Sequence, residues 1–152
     1  MEDQYFPFPK PVARALLRGD GAHPQITGEV LLSPYGQGTL VVTRAIGLPP
    51  SRFLGLHIHE NGLCDPGGAA AFSSAGGHYD PQGAAHPFHA GDLPPLLTSA
   101  GGIAVEAVYT DRFRPADVVG RSVVIHGMPD DFRSQPAGDS GMRIACGVIQ
   151  AI

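Results

Sequence analysis

GTLVVTRAIGLPPSRFLGLHIH, residues 38–59, contains two apolar runs separated by the turn sequence GLPPS. Short runs rich in β-branched residues and bounded by glycine and proline are typical of β-strands. On the N-terminal side, VARALLR (12–18) and ITGEVLLS (26–33) flank GDGAHP, a sequence with turn chemistry. These two segments predict a hairpin that precedes the quoted strands.

More strands are predicted beyond this stretch, in IAVEAVYT (103–110), near Ala116 to Val119, in RSVVIH (121–126) and in MRIACGVI (142–149). The total is about eight short strands. Since 21 glycines and 15 prolines interrupt the chain, long helices are hard to place. The sequence therefore predicts an all-β, antiparallel sandwich or flattened barrel.

Length and charge limit the classes of protein that fit. At 152 residues we expect one domain over 1–152. The net charge is −4 and the basic residues form no cluster, so we expect neither nucleic acid nor a membrane as a partner. The acidic, proline-broken N-terminus lacks the features of a secretory signal. We expect a cytoplasmic location if Met1 is the native start, and an extracytoplasmic one if a signal peptide was removed.

Histidines cluster where the strand pattern stops. His57 and His59 are two residues apart on one strand, so their rings share a face and can converge on one ion. From Glu60 to about Gly101 no strand or helix is predicted, and a loop this long in a compact domain is functional or misassigned. It contains HYDPQGAAHPFHAGD, residues 78–92, with three histidines and Asp92. Three imidazoles and a carboxylate suit four-coordinate zinc, although a solvated histidine-rich loop is the alternative.

Other candidates are less distinctive on their own. His126 ends an apolar strand, where a lone histidine is more often a partly buried side chain than a ligand. His23 lies in a turn and is not expected to have a role. Cys64 and Cys146 do not form a C-x-x-C pattern and read as two free buried thiols when taken alone.

Several separated motifs, in the right order, resemble the copper/zinc superoxide dismutase family. They are HIH (57–59), AGGHYDP (75–81), FHAGDL (88–93), GRSVVIHGMPDD (120–131) and GDSGMRIACGVI (138–149), with LRGDG (17–21) similar to the first hairpin of the family. The resemblance covers nearly the whole chain. It implies an eight-stranded, immunoglobulin-like Greek-key barrel with a long loop at about 60–101 and a short loop at about 127–141. The short loop lacks glutamate and lysine and looks like that of bacterial members.

By this resemblance the site residues have specific roles. Copper would be held by His57, His59, His78 and His126. Zinc would be held by His78, His86, His89 and Asp92, so that His78 bridges both ions. Asp130 would orient His57 and His86, Cys64 and Cys146 would form a disulfide, and Arg143 would attract the substrate, with Arg133 as a helper.

The implied activity is the conversion of superoxide to dioxygen and hydrogen peroxide by Cu(II)/Cu(I) cycling, with catalytic roles for Arg143 and His78. A non-enzymatic copper-binding or copper-delivery protein on the same scaffold is the main alternative. A zinc hydrolase fits poorly, because Asp92 would close the zinc site and no glutamate stands beside it as a base. A homodimer and a copper-donor protein are left open as partners.

Overall fold

The structure is a computed structural model that describes residues 8–67 and 69–152. Met1, on which the prediction of compartment depends, lies outside the described residues. The described chain contains nine β-strands, one turn of α-helix and a 3-10 turn at Ser73–Ala75. The elements are β1 (Ala13–Gly19), β2 (Thr27–Tyr35), β3 (Gly38–Ile46), β4 (Phe53–Leu54), β5 (Leu56–His59), β6 (Leu96–Leu97), β7 (Ala104–Thr110), α1 (Pro115–Val118), β8 (Ser122–His126) and β9 (Arg143–Ala151).

Seven strands form one curled antiparallel sheet, a half-barrel, in the order β5-β8-β9-β1-β2-β3-β7. The hairpins β1-β2 and β2-β3 lie next to each other, and the chain then crosses to the far edge of the sheet to form β5. A second crossover takes the chain from β7 to β8, beside β5. The all-β antiparallel prediction is confirmed, and the crossovers place β5 and β8, with their histidines, next to each other.

The prediction of a strand near Ala116 to Val119 is wrong, because α1 begins there. Pro115 occupies the first turn, where its fixed φ fits a helix and its missing N–H costs nothing. The Asp117 carboxylate accepts a hydrogen bond from the Arg114 N–H at 2.8 Å, which caps the turn. Local capping therefore outweighs the apolar composition of the segment.

The long loop also contains more regular structure than the sequence predicts. Leu96–Leu97 forms β6, which pairs with Phe53–Leu54 in a small second sheet. A two-residue strand has no periodicity of its own, and only its partner across the fold shows it. The 3-10 turn at Ser73–Ala75 is equally short.

The core lies inside the curled sheet. Along β1, Ala13, Ala15 and Leu17 are fully buried and alternate with exposed residues, as expected for a strand with one face against the core. Ile58 in β5 and Val123 in β8 are also fully buried, each contributing about 1.5–3 kcal/mol by the burial of its side chain. These apolar residues are direct neighbours of the histidines on the same strands, so the packing fixes where the rings point.

The predicted disulfide is confirmed. Cys64 and Cys146 are bonded, with a sequence separation of 82 and a Cα–Cα distance of 5.6 Å. Phe72, Ala75 and Val124 pack with Cys146 in a small buried cluster. The bond and this cluster attach the long loop to β9. Within the described residues, no helix is long and apolar enough to cross a membrane.

Candidate metal centre

Backbone pairing brings the long loop against β5. His59 forms an isolated antiparallel bridge with His78, and His57 forms one with Asp92. The Ile58 N–H also donates to the Gly91 carbonyl at 2.8 Å. The irregular loop is therefore ordered by the edge of the sheet, and its histidines meet those of the strand.

The first group of converging side chains is formed by His57, His59, His78 and His126, whose candidate ligand atoms lie within 4.8 Å of one another. All four residues are buried. The structure thus brings together the four residues predicted to hold copper, from β5, the long loop and β8.

Two of these rings face each other with nitrogen atoms that can only accept. His59 Nδ1 donates to the Gly76 carbonyl at 2.9 Å, and His126 Nδ1 donates to the Gly141 carbonyl at 3.4 Å. A neutral imidazole that donates from Nδ1 carries a lone pair on Nε2. The two Nε2 atoms lie 3.3 Å apart. Two lone pairs at this distance repel each other unless a cation lies between them.

The pKa values show that a proton does not fill this role. Burial lowers the pKa of His59 to about 2 and the pKa of His126 to about 3. The charge of Arg143 adds to both shifts. Both rings are therefore neutral at physiological pH, and their Nε2 lone pairs are available to a metal ion.

The second group consists of His78, His86, His89 and Asp92. His78 Nδ1 lies 2.7 Å from one oxygen of Asp92, while His86 Nδ1 and His89 Nδ1 each lie 3.1 Å from the other. Burial opposes ionisation of Asp92, but the hydrogen bond from His78 and the charge interactions with His78, His86 and His89 together outweigh it and lower the pKa of Asp92 overall. A charged carboxylate surrounded by three imidazoles is the donor set that zinc accepts.

His78 belongs to both groups. Its Nδ1 faces Asp92, while its Nε2 is buried and has no hydrogen-bond partner among the described residues. Burial lowers the pKa of His78. His57 Nδ1 and His86 Nδ1 are also buried without a hydrogen bond there. In apolar surroundings such atoms cost free energy, and each belongs to one of the two groups, so the residues present fit two metal ions.

Asp130 holds one ring of each group. Its Oδ2 accepts from His57 Nε2 and its Oδ1 accepts from His86 Nε2, both at 2.8 Å. Burial disfavours the charged form, but the hydrogen bonds from His57 and His86 keep the pKa of Asp130 below its usual range. Because each ring donates from Nε2, its Nδ1 is left as the acceptor, which is how carboxylates fix the tautomer of metal-binding histidines.

Gly138 makes this arrangement possible. It has φ 69°, and a Cβ built there would lie 2.0 Å from Asp130 Oδ1 and 2.6 Å from His86 Nε2. Any larger residue would push into the hydrogen bond between them. The short loop can therefore close over Asp130 only with glycine at this position.

Arg143 lies at the start of β9, beside the first group. Its guanidinium donates to the Phe72 carbonyl at 2.7 Å and to the Gly76 carbonyl at 2.6 Å, both on the long loop. The remaining N–H groups of the fork make no hydrogen bond to any other described residue. Arg143 and His126 line the same cavity of about 470 Å³ with the short loop. Arg133 is exposed on that loop.

Sequence reasoning missed several contacts that hold the site. Gln135 bonds both backbone groups of His86, and Arg112 donates to the carbonyls of Pro87 and His89 at 3.0 and 3.1 Å. The Gly76 carbonyl was missed as well. Glutamine and arginine in loops carry no pattern, and a backbone carbonyl has no side-chain identity, so no sequence signal marks these contacts.

The curled antiparallel sheet holds four converging histidines. One of them also belongs to a second group of three histidines and a carboxylate. This arrangement defines a protein built for two adjacent metal ions. Comparison with known proteins identifies the family. The family model described as copper/zinc superoxide dismutase matches residues 26–149. The chain belongs to the copper/zinc superoxide dismutase family.

Curated relatives support the same family. A copper/zinc superoxide dismutase from Deinococcus radiodurans is 41% identical, over 84% of this chain and 79% of the relative. Another from Haemophilus parainfluenzae is 42% identical, over 81% and 73% of the two chains. Among solved structures, the Cu/Zn superoxide dismutase from Brucella abortus is 31% identical with a TM-score of 0.79, covering 90% of this chain and 98% of the other. These relatives are bacterial, as the short loop predicts.

Proposed function

We propose that this protein is a superoxide dismutase in which His57, His59, His78 and His126 hold copper, and His78, His86, His89 and Asp92 hold zinc. The observation that carries the proposal is the pair of Nε2 lone pairs on His59 and His126, 3.3 Å apart and unprotonated. Four imidazole nitrogens suit Cu(II), whereas the closed set with a carboxylate suits zinc.

The chemistry divides between the ions and the residues. Copper held by His57, His59, His78 and His126 would supply one-electron redox chemistry toward superoxide, whereas zinc, which has no redox chemistry of its own, would keep its ligands in place. The sum is two superoxide ions and two protons giving one dioxygen and one hydrogen peroxide. Side chains of this chain carry out the other parts of the reaction, which are the binding of the anion and the transfer of a proton.

Arg143 binds and orients the anion. Its guanidinium is fixed by the Phe72 and Gly76 carbonyls, so it presents its remaining donors without first losing conformational freedom. Burial lowers the pKa of Arg143, but an arginine stays charged at physiological pH. In a chain of net charge −4, this cation provides the local attraction that the whole molecule does not.

His78 moves a proton. Its Nε2 faces the copper group, while its Nδ1 is held by Asp92 at 2.7 Å. The ring can therefore pick up a proton at Nε2 and pass it to the reduced product without losing its place in the zinc group.

The test compares superoxide consumption by protein loaded with copper and zinc, in the wild type and in His126→Ala. We expect the variant to lose most of the rate. Equal rates would leave the copper-carrier alternative. A Cu(II) spin-resonance spectrum of protein with equal copper and zinc checks the ligand assignment independently. The homodimer and the copper-donor protein stay predictions, which sedimentation velocity and copper-transfer assays address.

A further inference from the structure

The side chain of Gln135 connects the short loop to the backbone of His86. The His86 N–H donates to Gln135 Oε1 at 2.9 Å, and Gln135 Nε2 donates to the His86 carbonyl at 2.7 Å. Gln135 Nε2 also donates to the Arg133 carbonyl at 3.1 Å. One amide therefore pairs with both main-chain groups of a single residue, as a neighbouring β-strand would.

His86 needs such a partner because its surroundings provide no regular structure. It lies outside the strands and helices, and it precedes Pro87, which has no N–H to donate. The backbone of His86 is thus held by Gln135, and its ring is held by Asp130 at 2.8 Å. Both contacts come from the short loop, one fixing the position of the main chain and the other fixing the rotation of the ring.

The same loop lines the opening beside the copper group. Gln135 shares a cavity of about 470 Å³ with His126 and Arg143. A displacement of the His86 backbone would therefore be transmitted by Gln135 to the wall of this cavity. Conversely, disorder of the loop would release the backbone that carries one zinc ligand.

We propose that Gln135 is a positioning residue that preorganises His86 for zinc and couples zinc binding to the order of residues 133–141. The inference rests on the zinc group proposed above. Holding an irregular backbone in place before the ion arrives removes part of the ordering entropy that binding would otherwise cost. Partners that hydrogen-bond to the ligating ring itself typically change metal affinity by about 10- to 100-fold, and a contact with the backbone of the ligand residue is expected at the lower end of this range.

The experiment measures zinc affinity by competition with a chromophoric chelator, together with hydrogen exchange of backbone amides. Gln135→Met keeps the length of the side chain and removes every hydrogen bond. We expect zinc affinity to fall on the order of tenfold, faster exchange at the His86 amide in the metal-free protein, and a smaller zinc-induced protection of residues 133–141. The matched control is Gln25→Met, which removes a glutamine that bonds the Gly47 carbonyl at 3.2 Å outside both groups.

A third variant, His86→Ala, separates this inference from the zinc assignment. If His86→Ala binds zinc as tightly as wild type, the proposed zinc group is wrong and the role of Gln135 is wrong with it. If His86→Ala loses zinc while Gln135→Met stays within twofold of wild type, only the positioning role is overturned. Equal losses in Gln25→Met and Gln135→Met would also overturn it.

Discussion

Replacing Asp130 by asparagine should weaken copper binding and zinc binding to different extents, because the two carboxylate oxygens have different partners. Oδ1 accepts from His86 Nε2 at 2.8 Å and from the Phe132 N–H at 2.7 Å, while Oδ2 accepts from His57 Nε2 at 2.8 Å. An asparagine will direct its oxygen toward the two donors and its NH₂ toward His57. The opposite orientation would place the NH₂ against two N–H groups.

The cost of this substitution depends on whether copper is bound. In the metal-free protein His57 can carry its proton on Nδ1 and accept from the amide at Nε2, so only the charge-assisted bonds are lost, about 1–2 kcal/mol of unfolding free energy. With copper on Nδ1 the proton must return to Nε2, opposite the amide NH₂. A buried donor without an acceptor costs about 1–3 kcal/mol, which weakens copper binding about 5- to 150-fold. His86 keeps an acceptor, so zinc binding weakens by less than about tenfold.

Chelator competition measures the affinities for Cu(II) and for zinc. Denaturant unfolding of the metal-free, disulfide-bonded protein measures the unfolding free energy. Asp131→Asn is the matched control, since it removes the same charge from the adjacent, exposed residue. Among the residues that the structure describes, the Asp131 carboxylate accepts hydrogen bonds only within its own turn, from Arg133 and Ser134. A loss of zinc affinity in Asp130→Asn equal to or greater than the loss of copper affinity would refute the reasoning.

Three further predictions address the rest of the molecule. Arg143→Glu should lower the second-order rate with superoxide at least tenfold and flatten its dependence on ionic strength, because the local attraction for the anion is lost; stopped-flow kinetics with a wild-type rate and salt slope would contradict this. Replacing both Cys64 and Cys146 by serine should lower the unfolding free energy by about 4.5 kcal/mol, the chain entropy released by opening an 82-residue loop. Denaturant unfolding checks this value, and a loss below about 1 kcal/mol would point to a loop already ordered by other contacts. Metal-free protein should lose stability as the pH falls from 6.5, since burial keeps His59 and His126 neutral while the unfolded chain takes up their protons. The expected slope between pH 6 and pH 4 is roughly 2–3 kcal/mol per pH unit for the two groups together, and a flat profile would exclude the pKa values of about 2 and about 3.

The strand pattern and the strand histidines were predictable because they depend on local periodicity. The short β-branched or leucine-rich runs bounded by glycine and proline, and the same-face spacing of His57 and His59, are visible in the sequence. The short elements were not predictable on the same basis. The helical turn at Pro115–Val118 is decided by a proline and a cap, and β6 exists only because β4 lies beside it.

The grouping of the loop histidines required more than spacing. Spacing alone predicts a partly buried side chain for His126, and it fits either a zinc site or a solvated loop for the histidine-rich segment. Resemblance to a family placed these residues in two groups, and backbone bridges such as His59 to His78 give the physical reason that they meet. The contacts of Gln135 with His86 are specific to this folded chain and have no pattern to mark them.

The Gly76 carbonyl has two donors, His59 Nδ1 at 2.9 Å and a guanidinium N–H of Arg143 at 2.6 Å. With His59 as a copper ligand and Arg143 as the anion-binding residue, as proposed above, one oxygen influences both the electron-donating strength of the ligand and the place where the anion is captured. Redox potential and substrate capture are therefore not separately adjustable through this segment. An engineer who reshapes residues 72–76 to speed capture will also retune the metal, and improvement of either property alone will have to come from the short loop across the cavity.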